Sequence, residues 1–214
     1  MQEFDFVLLR DAESPSNIGR ILRAGILCVV FPFADLERLN SCGLLKRSGV
    51  YLLVGTTEPD KNGVPPLHPA VYVGKASTRA IGSGCLGRID EHRRSFPARL
   101  DDVSYALVFT RLSDRFDATQ CACMERFLCE RIKKGGRFVL ANRRRPSDGD
   151  IGPEMLAEMK CRIEDAARLA ALCGFPFSDR EAVSGSSGPP SEPIVAWLPS
   201  TEMTSARSDR HRPN

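Results

Sequence analysis

Six polar side chains along the middle of this 214-residue chain are of types suited to hydrolysis of a phosphodiester bond. That reaction requires an activated water, positive charge on the scissile phosphate, a cation, and assistance for the leaving oxygen. Phenol, guanidinium, imidazole, carboxylate and carboxamide groups meet these requirements. The six residues are Tyr51, Tyr72, Arg88, His92, Glu125 and Asn142.

The two tyrosines lie in short apolar runs, each beside a glycine: Gly49-Val50-Tyr51 and Tyr72-Val73-Gly74. Their β-branched and aromatic residues predict strands at Ser48–Val54 and Ala70–Val73, joined as a hairpin by a long polar loop. An ordinary phenol has a pKa of about 10. As a general base, Tyr51 therefore needs a nearby positive charge to lower its pKa, or His92 to accept its proton. Half-buried packing is the alternative role for both rings.

The other candidates lie on two predicted helices, Cys85–Ser95 and Ala118–Lys134. Arg88 and His92 are four residues apart and therefore share one face of the first helix. Arginine remains charged and forks onto phosphate oxygens. Glu125 lies in the middle of the second helix, and a carboxylate is the hard oxygen ligand that Mg²⁺ prefers. The alternatives are a surface arginine, a solvated histidine and an ion-paired carboxylate.

Charge is distributed unevenly along the chain. Residues 46–145 contain 19 Lys and Arg against 10 Asp and Glu, whereas the two flanking segments are net acidic. A basic segment that also holds the polar candidates suits a polyanionic partner such as nucleic acid. A solvated basic surface is the alternative.

Eight cysteines are scattered along the chain without a C-x-x-C pair, so the sequence predicts reduced, mostly buried thiols and assigns no metal to cysteine. No apolar run reaches the roughly 20 residues of a membrane span, and the acidic N-terminus is unlike a signal peptide. We therefore expect a soluble, cytoplasmic protein with no membrane partner.

The remaining patterns predict an α/β fold: a small, three-stranded, mainly antiparallel sheet flanked by helices. Residues 1–45 form an N-terminal strand–helix extension, with a strand at 4–9, a helical turn or two near Asn17–Ala24 and a short helix from Asp35. Residues 46–145 form the main domain, with its third strand at Val103–Thr110. Residues 146–180 add a helix at Pro153–Cys173, and residues 181–214 form a disordered tail.

The ordered series from Gly49 to Asn142 resembles the GIY-YIG nuclease superfamily over roughly residues 44 to 145. Both tripeptides carry valine where isoleucine names the family, which keeps the β-branched shape. A narrower likeness, to one subgroup of bacterial GIY-YIG proteins, covers nearly the whole ordered chain. Loop insertions at Gly55–Pro69 and Ala76–Gly84 resemble those of GIY-YIG restriction enzymes.

The resemblance implies a role for each matching residue. Glu125 is the single metal ligand, for Mg²⁺ or Mn²⁺. Arg88 stabilises the phosphate and His92 assists one turn later, Tyr51 is the general base, Tyr72 positions water or phosphate, and Asn142 braces the site. The substrate contacts are expected from Lys75, Arg143 and Arg144, although a solvated lysine and an unspecific arginine run are the alternatives.

The resemblance implies a divalent-metal-dependent endonuclease, a hydrolase that cuts DNA. Two alternatives remain open from the sequence. One is a nucleic-acid-binding module of the same fold without turnover. The other is a restriction endonuclease with a defined recognition site.

Overall fold

The structure is a computed structural model. It describes residues 7–8, 19–23, 25–57, 69–77, 83–95, 100–111, 116–143 and 151–178. Most of the two predicted loop insertions, Arg144 and the predicted tail from residue 181 lie outside these ranges.

Within the described ranges the chain forms seven strands: β1 Val7–Leu8, β2 Gly19–Arg23, β3 Ile26–Pro32, β4 Gly49–Thr57, β5 Pro69–Ala76, β6 Leu100–Arg111 and β7 Val139–Leu140. Its helices are α1 Gly84–Arg94, α2 Ala118–Gly135, α3 Pro153–Leu172 and a 3₁₀ helix at Phe33–Leu39. The strands and helices predicted from residue 48 to residue 173 are confirmed, with small shifts at their ends.

The strands form one sheet in the order β1-β2-β3-β6-β4-β5-β7. All neighbours are antiparallel except β5 and β7, which are parallel. The predicted α/β class and mainly antiparallel sheet are confirmed. The predicted count of three strands is wrong, because the N-terminal residues add strands to the same sheet through the pairing of β3 with β6.

The helical turns predicted near Asn17–Ala24 are also wrong, because Gly19–Arg23 is strand β2. This strand pairs residue by residue with β3, from Gly19 opposite Val30 to Arg23 opposite Ile26. Gly25 has a φ of 78° and lies in the turn between them, a conformation that glycine adopts at little cost. Tertiary pairing with a buried strand therefore overrides the local preference.

Alternation along β4 divides the core between the two faces of the sheet. Val50, Leu52 and Val54 pack on the face covered by α2 and α3. Tyr51 and Leu53 pack on the opposite face, with residues of α1 and the 3₁₀ helix. The two faces therefore receive different helices, and both helices that hold polar candidates lie against β4 and β5.

Local hydrogen bonds fix where α1 and α2 begin. The Asp117 side chain accepts the Gln120 backbone N–H at 2.7 Å, and the Gln120 side chain accepts the Asp117 N–H at 3.1 Å. This reciprocal capping starts α2, which ends at Gly136 with a φ of 72°. In α1 the N–H groups of Cys85 and Leu86 donate to the carbonyls of Arg47 and Leu45, directly before β4.

Among the described residues, all eight cysteines are free, and six of them are buried. No helix in the described ranges has the length and apolar character needed to cross a membrane.

Replacement of Gly49 by alanine is expected to destabilise the protein. A Cβ atom at Gly49 would lie 2.2 Å from the Phe109 carbonyl oxygen, which belongs to the backbone of β6 and has little room to move. We expect Gly49→Ala to lower the free energy of unfolding in urea by about 1–3 kcal/mol. Gly43→Ala is the matched control, because no atom lies within 4 Å of its added Cβ. An equal loss in both variants would contradict the steric explanation.

Candidate active site

The two glycine–tyrosine runs interlock across the β4–β5 pair. Tyr51 on β4 lies directly opposite Gly74 on β5. A Cβ atom at Gly74 would lie 2.3 Å from the Tyr51 ring and hydroxyl. The ring therefore occupies the space that any other residue at position 74 would fill, and Gly74 is required for the observed position of the phenol.

Tyr51, Tyr72 and His92 form a cluster on the α1 face of the sheet. The Tyr51 hydroxyl and His92 Nε2 are 2.8 Å apart, a hydrogen-bond distance. The ring centroids of Tyr72 and His92 are 5.0 Å apart in an edge-to-face arrangement. Those of Tyr51 and Tyr72 are 6.4 Å apart. Two strand residues and one helix residue thus form a cluster of polar aromatic side chains between the sheet and α1.

Burial determines the charge state of this cluster. Burial is the main cause that raises the pKa of Tyr51, and Tyr72, Cys85 and Glu125 raise it further, while Arg88 lowers it. Burial and Glu125 likewise raise the pKa of Tyr72. Burial and then Arg88 lower the pKa of His92. Arg88 acts on Tyr51 in the predicted direction, but desolvation is the larger effect, so phenol and imidazole are neutral together.

Glu125 lies on α2, and its carboxylate pairs with an unexpected partner. Lys75 Nζ is 2.7 Å from Glu125 Oε2, with side-chain exposures of 36% for the lysine and 12% for the glutamate. Glu125 also raises the pKa of both tyrosines. The carboxylate therefore acts electrostatically on the ring cluster while its direct contact is with β5.

Arg88 is exposed and pairs with Glu91 one turn along α1. Its positive charge nevertheless lowers the pKa values of Tyr51, Tyr72 and His92. The guanidinium therefore lies at the solvent side of the cluster, where an incoming anion would meet it.

Asn142 braces the strand that carries Tyr72 and Gly74. Its Oδ1 accepts the Val73 backbone N–H at 2.9 Å, and its Nδ2 donates to the Val73 carbonyl at 2.8 Å. Strand β7 pairs only with Ala70 and Val71. The carboxamide therefore continues the ladder by one step, between Tyr72 and Gly74 of β5.

A divalent cation at Glu125 fits the donor chemistry of this site. One hard carboxylate that keeps some solvent exposure is sufficient when water completes the coordination shell, as Mg²⁺ usually requires. Only Oε2 is engaged by Lys75. The described residues contain no cluster of three or more His, Cys, Asp or Glu side chains suited to a metal, so a cation here would depend on Glu125 as its protein ligand.

The structure brings three of the predicted residues, Tyr51, Tyr72 and His92, into direct contact, and the charges of Arg88 and Glu125 act on the two tyrosines. Asn142 is hydrogen-bonded to Val73, on the strand that carries Tyr72. Lys75, predicted to contact substrate, forms an ion pair with Glu125. Arg143 is exposed. Sequence reasoning missed the Lys75–Glu125 and Arg88–Glu91 pairs; the three-residue spacing on α1 indicates the second, but nothing in the sequence indicates the first.

No protein-family model, curated protein or solved structure matches this chain. The resemblance to GIY-YIG nucleases therefore stays a prediction from the ordered series of residues.

The lowered pKa of His92 predicts a specific dependence of stability on pH. Below about pH 6.5 the unfolded chain binds a proton at this position before the folded protein does. Stability is therefore lost as the pH falls from that value through the lower folded pKa. In His92→Asn this contribution is absent. Urea unfolding between pH 7.5 and 5 should show a shallower loss of stability in the variant.

His68 and His211 are present in both proteins and cancel in this comparison. Parallel stability curves for the wild type and His92→Asn would contradict the burial of a neutral imidazole beside Tyr51.

Proposed function

We propose that this protein is a divalent-metal-dependent endonuclease that hydrolyses DNA phosphodiester bonds through an active site of the GIY-YIG type. The observation that supports it best is the hydrogen bond between Tyr51 and His92 Nε2, inside a cluster that includes Tyr72 and feels the charges of Arg88 and Glu125. Packing alone favours apolar side chains at such a position, because buried polar groups must be paired to avoid a large cost.

Tyr51 and His92 form the proton-accepting pair in this proposal. Because the Tyr51 phenol is neutral, it takes a proton from water only if its own proton moves on at the same time. His92 Nε2 is within 2.8 Å of the phenol oxygen. The backbone of Ser95 raises the pKa of His92. The tautomer that carries its proton on Nδ1 leaves Nε2 to accept the phenol proton.

The remaining residues bind and orient the substrate. Arg88, on the solvent side, binds the scissile phosphate, and Tyr72 orients water or phosphate between the ring of His92 and the substrate. Glu125 would hold Mg²⁺ or Mn²⁺, which when bound supplies positive charge to phosphoryl and leaving oxygens. Asn142 keeps β5 in register, and Arg143 and Arg144 are the proposed contacts to the nucleic-acid backbone.

One observation favours a second candidate, a DNA-binding module of the same fold without turnover. Lys75 already neutralises Glu125, the single carboxylate proposed for the metal. In a module that binds without cutting, this pair would be permanent. Strong, salt-dependent DNA binding with no cleavage in Mg²⁺ or Mn²⁺ would identify this case. A restriction enzyme would instead cut at one fixed sequence, which sequencing of fragment ends reveals.

Plasmid cleavage in Mg²⁺ and in Mn²⁺ tests the proposal directly. We expect Glu125→Gln, Arg88→Ala and Tyr51→Phe each to reduce the cleavage rate by about 100-fold or more, because each removes a group that acts on charge in the transition state. Glu125→Gln should retain DNA binding, since the nucleic acid contacts cationic residues.

The matched control is Glu130→Gln, which removes an exposed carboxylate from the same helix α2. This variant should cleave as the wild type does. Cleavage that is unaffected by both Glu125→Gln and Arg88→Ala would overturn the proposed active site.

A further inference from the structure

The Lys75–Glu125 pair joins a strand to a helix within the candidate site. Lys75 directly follows Gly74, whose missing Cβ admits the Tyr51 ring. The Nζ to Oε2 distance of 2.7 Å and the low exposure of the carboxylate indicate a charge-assisted hydrogen bond that is partly shielded from water. Within the described ranges it is the one side-chain hydrogen bond of the Glu125 carboxylate.

The location of the pair is informative about its function. Successive side chains of β5 point to opposite faces of the sheet. Tyr72 and Ala76 lie on the face of the ring cluster, so the side chain of Lys75 leaves the strand on the other face. The Glu125 carboxylate nevertheless raises the pKa of both tyrosines. The Glu125 carboxylate therefore pairs with the ammonium group and also acts on the phenols through space. Whatever neutralises Glu125 also changes the electrostatic environment of Tyr51 and Tyr72.

We infer that Lys75 is a built-in competitor for the divalent cation, and that it exchanges the Glu125 carboxylate for a substrate phosphate when the cation binds. This inference rests on the proposed function. The Lys75 ammonium and a divalent cation both interact with this one carboxylate. Binding of the cation therefore weakens the ion pair between Lys75 and Glu125. Lys75 then keeps its charge and is 36% exposed on a long flexible stem, which suits a phosphate as the new partner.

This exchange has a physical advantage over an unpaired carboxylate. A poorly exposed carboxylate without a counter-charge is costly, and the lysine removes that cost while the cation is absent. The same ammonium lies beside the Glu125 carboxylate when phosphate enters. Lys75 is thus a positioning residue in the free protein and a substrate contact in the loaded one.

Manganese binding, followed by the electron paramagnetic resonance of free Mn²⁺, tests the competition between Lys75 and the cation without any turnover. Lys75→Met keeps the length of the side chain and removes its charge. We expect Lys75→Met to bind Mn²⁺ on the order of tenfold more tightly than the wild type, since a charge-assisted hydrogen bond no longer competes. Glu125→Gln should abolish this binding, and Lys75→Arg should remain close to the wild type.

Lys133→Met is the matched control for loss of one positive charge. Lys133 is an exposed lysine of α2 and lies about 12 Å from Glu125 along the helix axis, beyond the screening length in physiological salt. Its Mn²⁺ affinity should equal that of the wild type.

Cleavage at saturating Mn²⁺ tests the contact between Lys75 and a substrate phosphate. Lys75→Met should cleave more slowly than the wild type even though it binds the cation more tightly, an opposition that a purely structural ion pair does not produce. Lys75→Gln serves as a second neutral variant, and urea unfolding verifies that each variant is folded.

The possible results separate the inference from the proposed function. Unchanged Mn²⁺ affinity in both neutral Lys75 variants, with binding lost in Glu125→Gln, overturns the exchange and leaves the metal site intact. Wild-type cleavage by Lys75→Met at saturating Mn²⁺ overturns the phosphate contact. Mn²⁺ binding and cleavage that persist in Glu125→Gln overturn the proposed metal site together with the exchange.

Discussion

The Tyr51 ring lies across the backbone of Gly74 on the neighbouring strand, and the geometry of the candidate site follows from that position. With no Cβ at residue 74, the phenol settles against β5 and its hydroxyl reaches His92 on α1. The β4–β5 register places the two residues opposite each other, and a slip of one residue would turn Tyr51 to the other face of the sheet. Strand pairing, ring packing and the Tyr51–His92 hydrogen bond therefore depend on one close approach.

Burial gives this arrangement its chemistry. Desolvation raises the pKa of Tyr51 and lowers that of His92, so both groups remain neutral and share a hydrogen bond. Neither an exposed phenol nor an exposed imidazole would be held in this relation. Positive and negative charge are kept at the margin of the cluster, where Arg88 is exposed and Glu125 is paired with Lys75. The interior thus holds the neutral, hydrogen-bonded groups, and the charged side chains Arg88, Lys75 and Glu125 are paired at the margin.

The sequence predicted the central part of the fold because its signals there are local. Gly49-Val50-Tyr51 and Tyr72-Val73-Gly74 are strongly β-forming, and the helix predicted at Ala118–Lys134 matches α2. The N-terminal hairpin was mispredicted because Gly19–Arg23 is a strand only through its pairing with β3. In the site, the shared helix face of Arg88 and His92 follows from their spacing. The Lys75–Glu125 pair joins residues 50 positions apart, so no local pattern reveals it.

The side chain of Asn142 forms the hydrogen bonds to β5 that the backbone of a further residue of β7 would otherwise form. By presenting both an acceptor and a donor to Val73, it reproduces the outline of a peptide group at the margin of the sheet. An open margin of this kind is a template on which a strand from another molecule can add, the first event in many forms of aggregation. A single carboxamide thus closes a place where β5 would otherwise be free to recruit a second chain.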